Sequence, residues 1–575
     1  MPDRSIGYFK LPIKHYYDKY LKSKECPNCH RTSDLAENLK VCPHCNCYLP
    51  FTAMDWIYYL TGKISVKQII HHKEIKDELH SKHPRFKKKL HESKKKSGFK
   101  DGLITMRTNI DYHPVVLTIL NFDFFNGTIG PVEGEKFARA IQIAKNNKLP
   151  LISIWTSYGM NMYLDIESLY QMPKITYYLS ELNMPYISIL SGTVLGGTSV
   201  SFVQGDIIIA EKESIFGFTG KNIIKKSIPI PDKFQTEEEA LKSGKVDMIA
   251  ERKDIKTILL NILNCLDSKN YSECQKIKFQ PPDIAIGAKI SNHSAIKTEI
   301  NNNYMNAFNI LGIAKHYKRP TCIDYLKIFD QFVELKGDRI SGDGPTIIAG
   351  LALIDKKPLI VIGIEKGKFI EKGDALFSGQ KIFYNNGMPG PTEYRKARRI
   401  IRFAEKAKLP VVFILDTSGA RMDPVSERGN IAYELNETMK TILNLKTWTV
   451  AINIGEGGSG GYIALACADK ILMQKYAYAA IAACEAKASI LYPDEKNSLE
   501  IAANNSEITS KQLLDKHYID GIINEPEGGA HLDTEKAIEY IEEAIKQELE
   551  KIYNLPNKIP TTQDIQKRIK RFTAV

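Results

Sequence analysis

NGTIGPVEGEKFARAIQIAKNNKLPLISIWTSYGM (126–160) is echoed by NGMPGPTEYRKARRIIRFAEKAKLPVVFILDTSGA (386–420). Carried on to Met162 and Met422 without gaps, the two stretches share 15 of 37 positions. The shared residues include Gly127/Gly387, Gly130/Gly390, Pro131/Pro391, Arg139/Arg399 and Gly159/Gly419. In the first copy an amphipathic helix (133–148) is followed by a strand (150–155) that ends in a Gly turn. Such an internal repeat means two copies of one fold unit, with a cleft between matching elements.

Working outward, HPVVLTILNF (113–122), PYISIL (185–190) and DIIIA (206–210) read as further buried strands, with a helix over 168–182. The second half repeats the order with PLIVIGIEKG (358–367), PVVFIL (410–415) and a strand, Gly turn and helix over 448–468, and a charged helix starts at 534. This alternation predicts α/β architecture with packed sheets in both halves, 101–264 and 305–575. The polar segment 265–304 reads as a linker between them. Ahead lie a Cys-rich module, 1–50, and a helical, basic linker, 51–100. The chain of 575 residues carries a net charge of +12, concentrated at Lys82, Arg85, Lys87, Lys88, Lys89, Lys94, Lys95, Lys96 and Lys100. That stretch reads as a solvated linker or as an anion site. No apolar run is long enough to span a bilayer and the start lacks an apolar signal core, so a cytoplasmic protein with no membrane association is expected.

CPNC (26–29) and CPHC (42–45) bring four thiols at zinc-knuckle spacing. Cys26, Cys29, Cys42 and Cys45 would fill all four positions of a Zn²⁺ ion, which makes the site structural; Cys47 is an alternative ligand. Gly-rich turns end strands in both halves, at Tyr158-Gly159, Gly196-Gly197, Ser418-Gly419 and Gly455 to Gly461. Backbone N–H groups at such turns can hold a phosphate or an oxyanion. No GxxxxGK[ST] loop is present and no GxSxG nucleophile elbow is expected, which disfavours NTPase and hydrolase readings. His293, His316, His517 and His531 are expected on the surface, and Cys484 as a buried small residue. Asp416 and Glu456, on Gly turns, either orient a ligand or stabilise the turn. With no evident base, the pattern fits chemistry in which backbone donors hold an enolate and a cofactor moves the proton.

Residues from about 24 to 262 resemble the β subunit of bacterial acetyl-CoA carboxylase carboxyltransferase, through CPNC…CPHC, HPVV (113–116), LGG (195–197), IFGFTG (215–220) and FQTEEEALKSGKVDMI (234–249). Residues from about 305 to 550 resemble its α subunit, through RPTCIDYLKIFDQFVELKGDR (319–339), GMPGPTEYRKA (387–397), GEGGSGGYIAL (455–465) and EPEGGAH (525–531). The resemblance implies tandem crotonase-type (ClpP/crotonase) ββα spiral domains behind an N-terminal zinc ribbon. It implies transfer of CO2 from carboxybiotin, supplied by a separate biotin carboxyl carrier protein, to acetyl-CoA or a related acyl-CoA, giving malonyl-CoA. By position, Tyr158 and Gly159 would form the thioester-side oxyanion hole, with Gly196, Gly197 and Gly419 binding substrate. Gly460, Gly461 and the N–H of Tyr462 would form the biotin-side hole. A biotin carboxylase made elsewhere is a further implied partner, and a homodimer or larger oligomer the implied assembly. The basic stretch would meet a CoA phosphate or nucleic acid. Two turns depart from the family pattern. SYGMNM (157–162) stands where β subunits read SGGARM, and TSGARM (417–422) where α subunits read TPGAYP. A changed acyl pocket is expected from this. Alternatives are a biotin-dependent decarboxylase of the same fold, a nucleic-acid-binding or regulatory protein with an impaired site, and a scaffold for carboxylase partners.

Overall fold

A computed structural model describes residues 25–33, 38–62, 85–225, 229–231, 233–243, 245–266, 305–368, 370–372, 375–377, 379–556 and 558–574. His293, Lys82 and residues 267–304 of the expected linker lie outside the described residues.

Each half is built on one sheet. The first comprises β1 (Leu103–Ile110), β2 (His113–Leu120), β3 (Leu151–Ser157), β4 (Tyr186–Val194), β5 (Ile207–Glu211), β6 (Ile215–Phe216) and β7 (Met248–Ala250). Its order is β1-β2-β3-β4-β5-β7, with β6 also on β4, and only the β1–β2 pair is antiparallel. The second half holds β8 (Gln331–Glu334), β9 (Ile347–Ile354), β10 (Lys357–Ile364), β11 (Ile370–Lys372), β12 (Ala375–Phe377), β13 (Val411–Thr417), β14 (Thr449–Gly458), β15 (Lys470–Gln474), β16 (Tyr478–Ala480) and β17 (Gly521–Ile523). Its sheet runs β17-β15-β14-β13-β10-β9-β8, with β16 on β14 and β11–β12 as a separate hairpin. Parallel strands covered on both faces become continuous apolar runs; all seven residues of β13 are buried.

The repeat holds at the level of single residues. Val116 of β2 pairs with Leu151, and Ile360 of β10 with Val411, 260 positions beyond Leu151. The helices Pro131–Asn147 and Pro391–Ala407 both start with proline at the first position, where no N–H is needed. Glu133 and Glu393 reach back to the N–H of Gly130 (3.0 Å) and Gly390 (3.1 Å). Both helices end on a lysine in the left-handed conformation, Lys148 and Lys408. The halves meet where the helix Gln171–Ser180 packs on Ile431–Leu443, and Thr176 Oγ1 donates to Asn436 Oδ1 at 2.7 Å. Those two residues are 260 positions apart, the spacing of the repeat. One continuous apolar cluster runs through both halves.

The expected tandem α/β architecture is thus present. The expected helix 168–182 is divided at Tyr170 into Asp165–Leu169 and Gln171–Ser180, and a second tail helix, Thr562–Thr573, follows Thr534–Tyr553. In the Cys-rich module two knuckles repeat, with His30 N–H donating to Cys26 O (2.8 Å) and Asn46 N–H to Cys42 O (2.9 Å). Buried Arg252 holds the module on the first half, donating to the carbonyls of Leu39 (2.8 Å) and Leu49 (3.1 Å) and stacking over Phe51. No helix among the described residues is long and apolar enough to cross a membrane.

Candidate active site between the two halves

A cavity of about 960 Å³ lies between the halves, at the carboxyl ends of the parallel strands. β3 and β13 both break register in their last residues, at Trp155/Ser157 and Leu415/Thr417, and then turn. Ser157 Oγ accepts from Gly159 N–H and Thr417 Oγ1 from Gly419 N–H, each at 3.0 Å, so the two turns are built alike. The next strands, β4 and β14, end in the second pair of Gly turns. The turns within a half press together. A Cβ on Gly159 (φ +98°) would lie 3.1 Å from Gly196 Cα, and one on Gly461 only 2.4 Å from Ala420 N.

Of the predicted site residues, Tyr158, Gly196, Gly197, Gly419 and Gly460 line the cavity, while Gly159, Gly461 and Tyr462 do not. Three amides of the first-half turns have internal acceptors. Tyr158 N–H points to Asn126 O (3.4 Å), Gly159 N–H is held by Ser157, and Gly196 N–H donates to Phe218 O (2.8 Å). Gly197, the next residue of that turn, lines the cavity. On the other side Gly460 and Gly461 fall in the first turn of Ser459–Ala466, where N–H groups have no intrahelical acceptor. Tyr462 stands at the fourth helical position, where its N–H faces back along the helix toward Gly458, and its side chain is buried.

Tyr158 has no left-handed backbone, and its ring is 53% exposed and packs edge-on against Phe122 at 5.1 Å. Two methionines narrow the cavity floor. The Cβ position of Gly197 lies 2.6 Å from Met160 Sδ and 2.8 Å from Met172 Sδ, and that of Gly460 lies 3.4 Å from Met172 Cε. Met172 stands between the two Gly turns. Asn161 caps the following turn, its Oδ1 accepting from Tyr163 N–H at 3.0 Å. Among the described residues neither histidine nor cysteine lines the cavity, and its two carboxylates are Glu92 and Asp123.

Residues 264–575 match the family described as acetyl co-enzyme A carboxylase carboxyltransferase-like. A Clostridium tetani protein named acetyl-coenzyme A carboxylase carboxyl transferase subunits beta/alpha is 32% identical over 568 residues, covering 96% of this chain and 92% of that protein. The chain belongs to the acetyl-CoA carboxylase carboxyltransferase family. It has the fused β/α arrangement; the protein of that name from Natranaerobius thermophilus is 30% identical over 567 residues, covering 96% of this chain and 91% of that one. Among solved structures, a transcarboxylase 12S covers 78% of this chain and 82% of its own at 18% identity with a TM-score of 0.32, too loose a likeness to carry residue roles.

Other members of the predicted set serve the scaffold of this carboxyltransferase fold. Asp416 and Glu456 are buried with Lys366, which bonds to Asp416 Oδ1 (2.9 Å) and to Glu456. Tyr478 OH donates to Glu456 Oε2 (2.7 Å), and Lys315 lies 3.3 Å from the same oxygen. Burial alone would raise the Glu456 carboxyl, but Lys366 and Lys315 hold it well below the usual carboxylate range. Arg139 pairs with Glu135 (2.6 Å), and Arg399 donates to the carbonyls of Gly337 (2.9 Å) and Lys336 (3.0 Å). Burial pushes the Cys484 thiol up to about 12, which leaves it unreactive. His517 is exposed as expected, whereas His316 and His531 stack at 3.8 Å and are half-buried. Burial, then the neighbouring His316, lowers His531 to about 4.

The expectation that no G-x-S-x-G elbow occurs is corrected, since Gly457–Gly461 spells one at a strand-to-helix turn. Ser459 has the left-handed φ (+53°) of a nucleophile elbow. No His or carboxylate is bonded to it among the described residues.

The four knuckle sulfurs lie within 4.8 Å of one another, with Cys26–Cys45 and Cys29–Cys42 each at 3.7 Å. A tetrahedral zinc with Zn–S of about 2.3 Å spaces its sulfurs about 3.8 Å apart, so the residues fit that ion. Cys47 falls outside this set.

Proposed function

We propose that this chain is the carboxyltransferase component of an acetyl-CoA carboxylase, moving CO2 from carboxybiotin on a separate biotin carboxyl carrier protein to acetyl-CoA or a related acyl-CoA, with malonyl-CoA as the product from acetyl-CoA. The reading rests above all on the glycine turns at Gly197 and Gly460, which line one cavity from opposite halves with Met172 between them. The relatives' names support the same reaction.

Loss of the α-proton turns a thioester into an enolate, so negative charge develops on its oxygen. Gly197 N–H is the donor for that oxygen, and a single such donor contributes about 10²–10³ in rate. The first turn of Ser459–Ala466 offers Gly460 and Gly461 N–H groups to the biotin ureido oxygen, where the helix dipole also favours negative charge. Carboxybiotin supplies the CO2 and the acceptor of the proton. Accordingly no histidine among the described residues lies on the cavity wall. Apolar residues such as Met160, Met172, Phe218 and Ile481 keep water from the reacting groups.

Zinc bound by Cys26, Cys29, Cys42 and Cys45 would have no open coordination position and would serve structure. We take 101–264 and 305–575 as the two carboxyltransferase domains, acting in the cytoplasm with a biotin carboxylase, as a homodimer or larger assembly. The test is to mix the protein with biotin carboxylase, biotinylated carrier, ATP, bicarbonate and acetyl-CoA. Malonyl-CoA is expected; no carboxylated product from acetyl-, propionyl- or butyryl-CoA overturns the reading.

A further inference from the structure

The helix Phe86–Ser97 carries six lysines, Lys87, Lys88, Lys89, Lys94, Lys95 and Lys96, against one carboxylate, Glu92. Apolar burial does little for it, since only Phe86, Ser93 and Ser97 are buried. Its position is nevertheless set by specific contacts. Phe86 stacks on Phe125 at 5.8 Å, and Ser93 Oγ accepts from Phe125 N–H at 3.3 Å. Phe125 starts the short turn whose Asn126 carbonyl faces the amide of Tyr158. The helix is therefore anchored beside the thioester-side turn. Positions 89, 93 and 96 share one helical face, and that face lines the cavity.

Lys89 and Lys96 already have partners, Glu92 at 3.5 Å and Asp123 at 2.8 Å. Both lysine side chains are more than half exposed; the Lys89–Glu92 pair is exposed on both sides and therefore weak, while Asp123 is the more buried partner of Lys96. A phosphate dianion brings more charge and more acceptor oxygens than either carboxylate and can displace them. Between the lysines and Gly197 the cavity wall passes over Phe125, Asn126, Thr128 and Tyr158, which are uncharged.

We propose that Lys89 and Lys96 bind phosphates of the 3′-phospho-ADP end of the acyl-CoA substrate while its thioester lies at Gly197. This rests on the carboxyltransferase reading above. The pattern matches the ligand, with charge at one end, a neutral wall for the pantetheine arm, and the glycine turn at Gly197 at the other end.

The test compares acetyl-CoA, acetyl-3′-dephospho-CoA and acetyl-pantetheine as substrates for the wild type, Lys89→Ala, Lys96→Ala and the double variant. Each single change is expected to raise KM for acetyl-CoA about fivefold, and the pair about twentyfold, with kcat held, as befits contacts to a charged group. KM for acetyl-pantetheine should not move. Turnover of acetyl-pantetheine by the wild type establishes carboxyl transfer independently, and calorimetric binding of free CoA makes the same comparison without turnover. An unchanged KM and CoA affinity in the double variant overturns the proposal. So does an equal rise for acetyl-pantetheine, or lysine-dependent binding of a single-stranded oligonucleotide with CoA affinity unaltered.

Discussion

Gly460 and Gly461 are neighbours, yet a methyl group added to each should have opposite consequences. On Gly461 the new carbon would lie 2.4 Å from Ala420 N and 2.5 Å from Gly419 C. Both atoms are backbone of the adjoining turn, so relief requires that turn to move by about 1 Å. Overpacking of this kind costs about 1–3 kcal/mol, and a displacement of about 1 Å in a reacting site lowers rate about 10²-fold. On Gly460 the methyl would meet the flexible ends of Met172 (3.4 Å), Leu435 (3.5 Å) and Phe218 (3.7 Å), all ordinary contacts. Gly460 has no left-handed φ and lies in a helix, where alanine is favoured by up to about 1 kcal/mol. Gly460→Ala should therefore keep or raise the melting temperature while crowding the amide beside Met172, and kcat should fall about tenfold or more. Gly461→Ala should lose both stability and rate. Thermal melts and malonyl-CoA formation read the two effects separately. A Gly461→Ala protein with wild-type melting and turnover, or a Gly460→Ala protein less stable than Gly461→Ala, would refute the packing on which this reasoning stands.

Three other outcomes follow from contacts elsewhere. Buried Glu427 of the second half accepts from Phe218 N–H (2.8 Å), Thr219 N–H (3.1 Å) and Gln235 Nε2 (3.0 Å) and pairs with Lys245 (3.3 Å), all in the first. Glu427→Ala strands the buried lysine and should cost about 3–5 kcal/mol, seen as a lower urea midpoint; an unchanged midpoint contradicts the role. His531, lowered to about 4, stays neutral in the fold where the unfolded chain takes up a proton. Stability should thus fall as pH drops from about 6.5 to about 4 and stay flat above that window. His531→Gln should flatten that melting profile, and a profile identical to wild type counts against the stack. Removing metal with a chelator, or Cys29→Ser, should release zinc and loosen the module around Arg252, read by metal analysis and proteolysis, while a protein that purifies without zinc rejects the assignment.

Much of this was legible in local sequence. The repeat specifies paired helices and strands because Pro131/Pro391, Glu133/Glu393 and the apolar strand runs act through neighbours a few residues away. The Gly turns could be placed for the same reason. Which amides stay open could not, because that is decided by distant carbonyls, Phe218 O for Gly196 and Asn126 O for Tyr158. The same holds for Lys366, whose partners come from 50 and 90 positions away, and for the His316–His531 stack. The helix Thr562–Thr573 did carry a readable signal in its Thr561/Asp564 capping box. It is fixed in place by Arg568, which bonds Asp469 and the carbonyls of Ile442, Leu445 and Thr447.

The central claim is that one chain supplies both sides of the carboxyl-transfer site. The most direct measurement gives the purified chain alone ¹⁴C-malonyl-CoA, labelled in the free carboxyl, together with biocytin, and follows the label. The structure predicts label on biocytin, strongly reduced by Gly461→Ala. No transfer by a folded, zinc-loaded wild-type protein would contradict it.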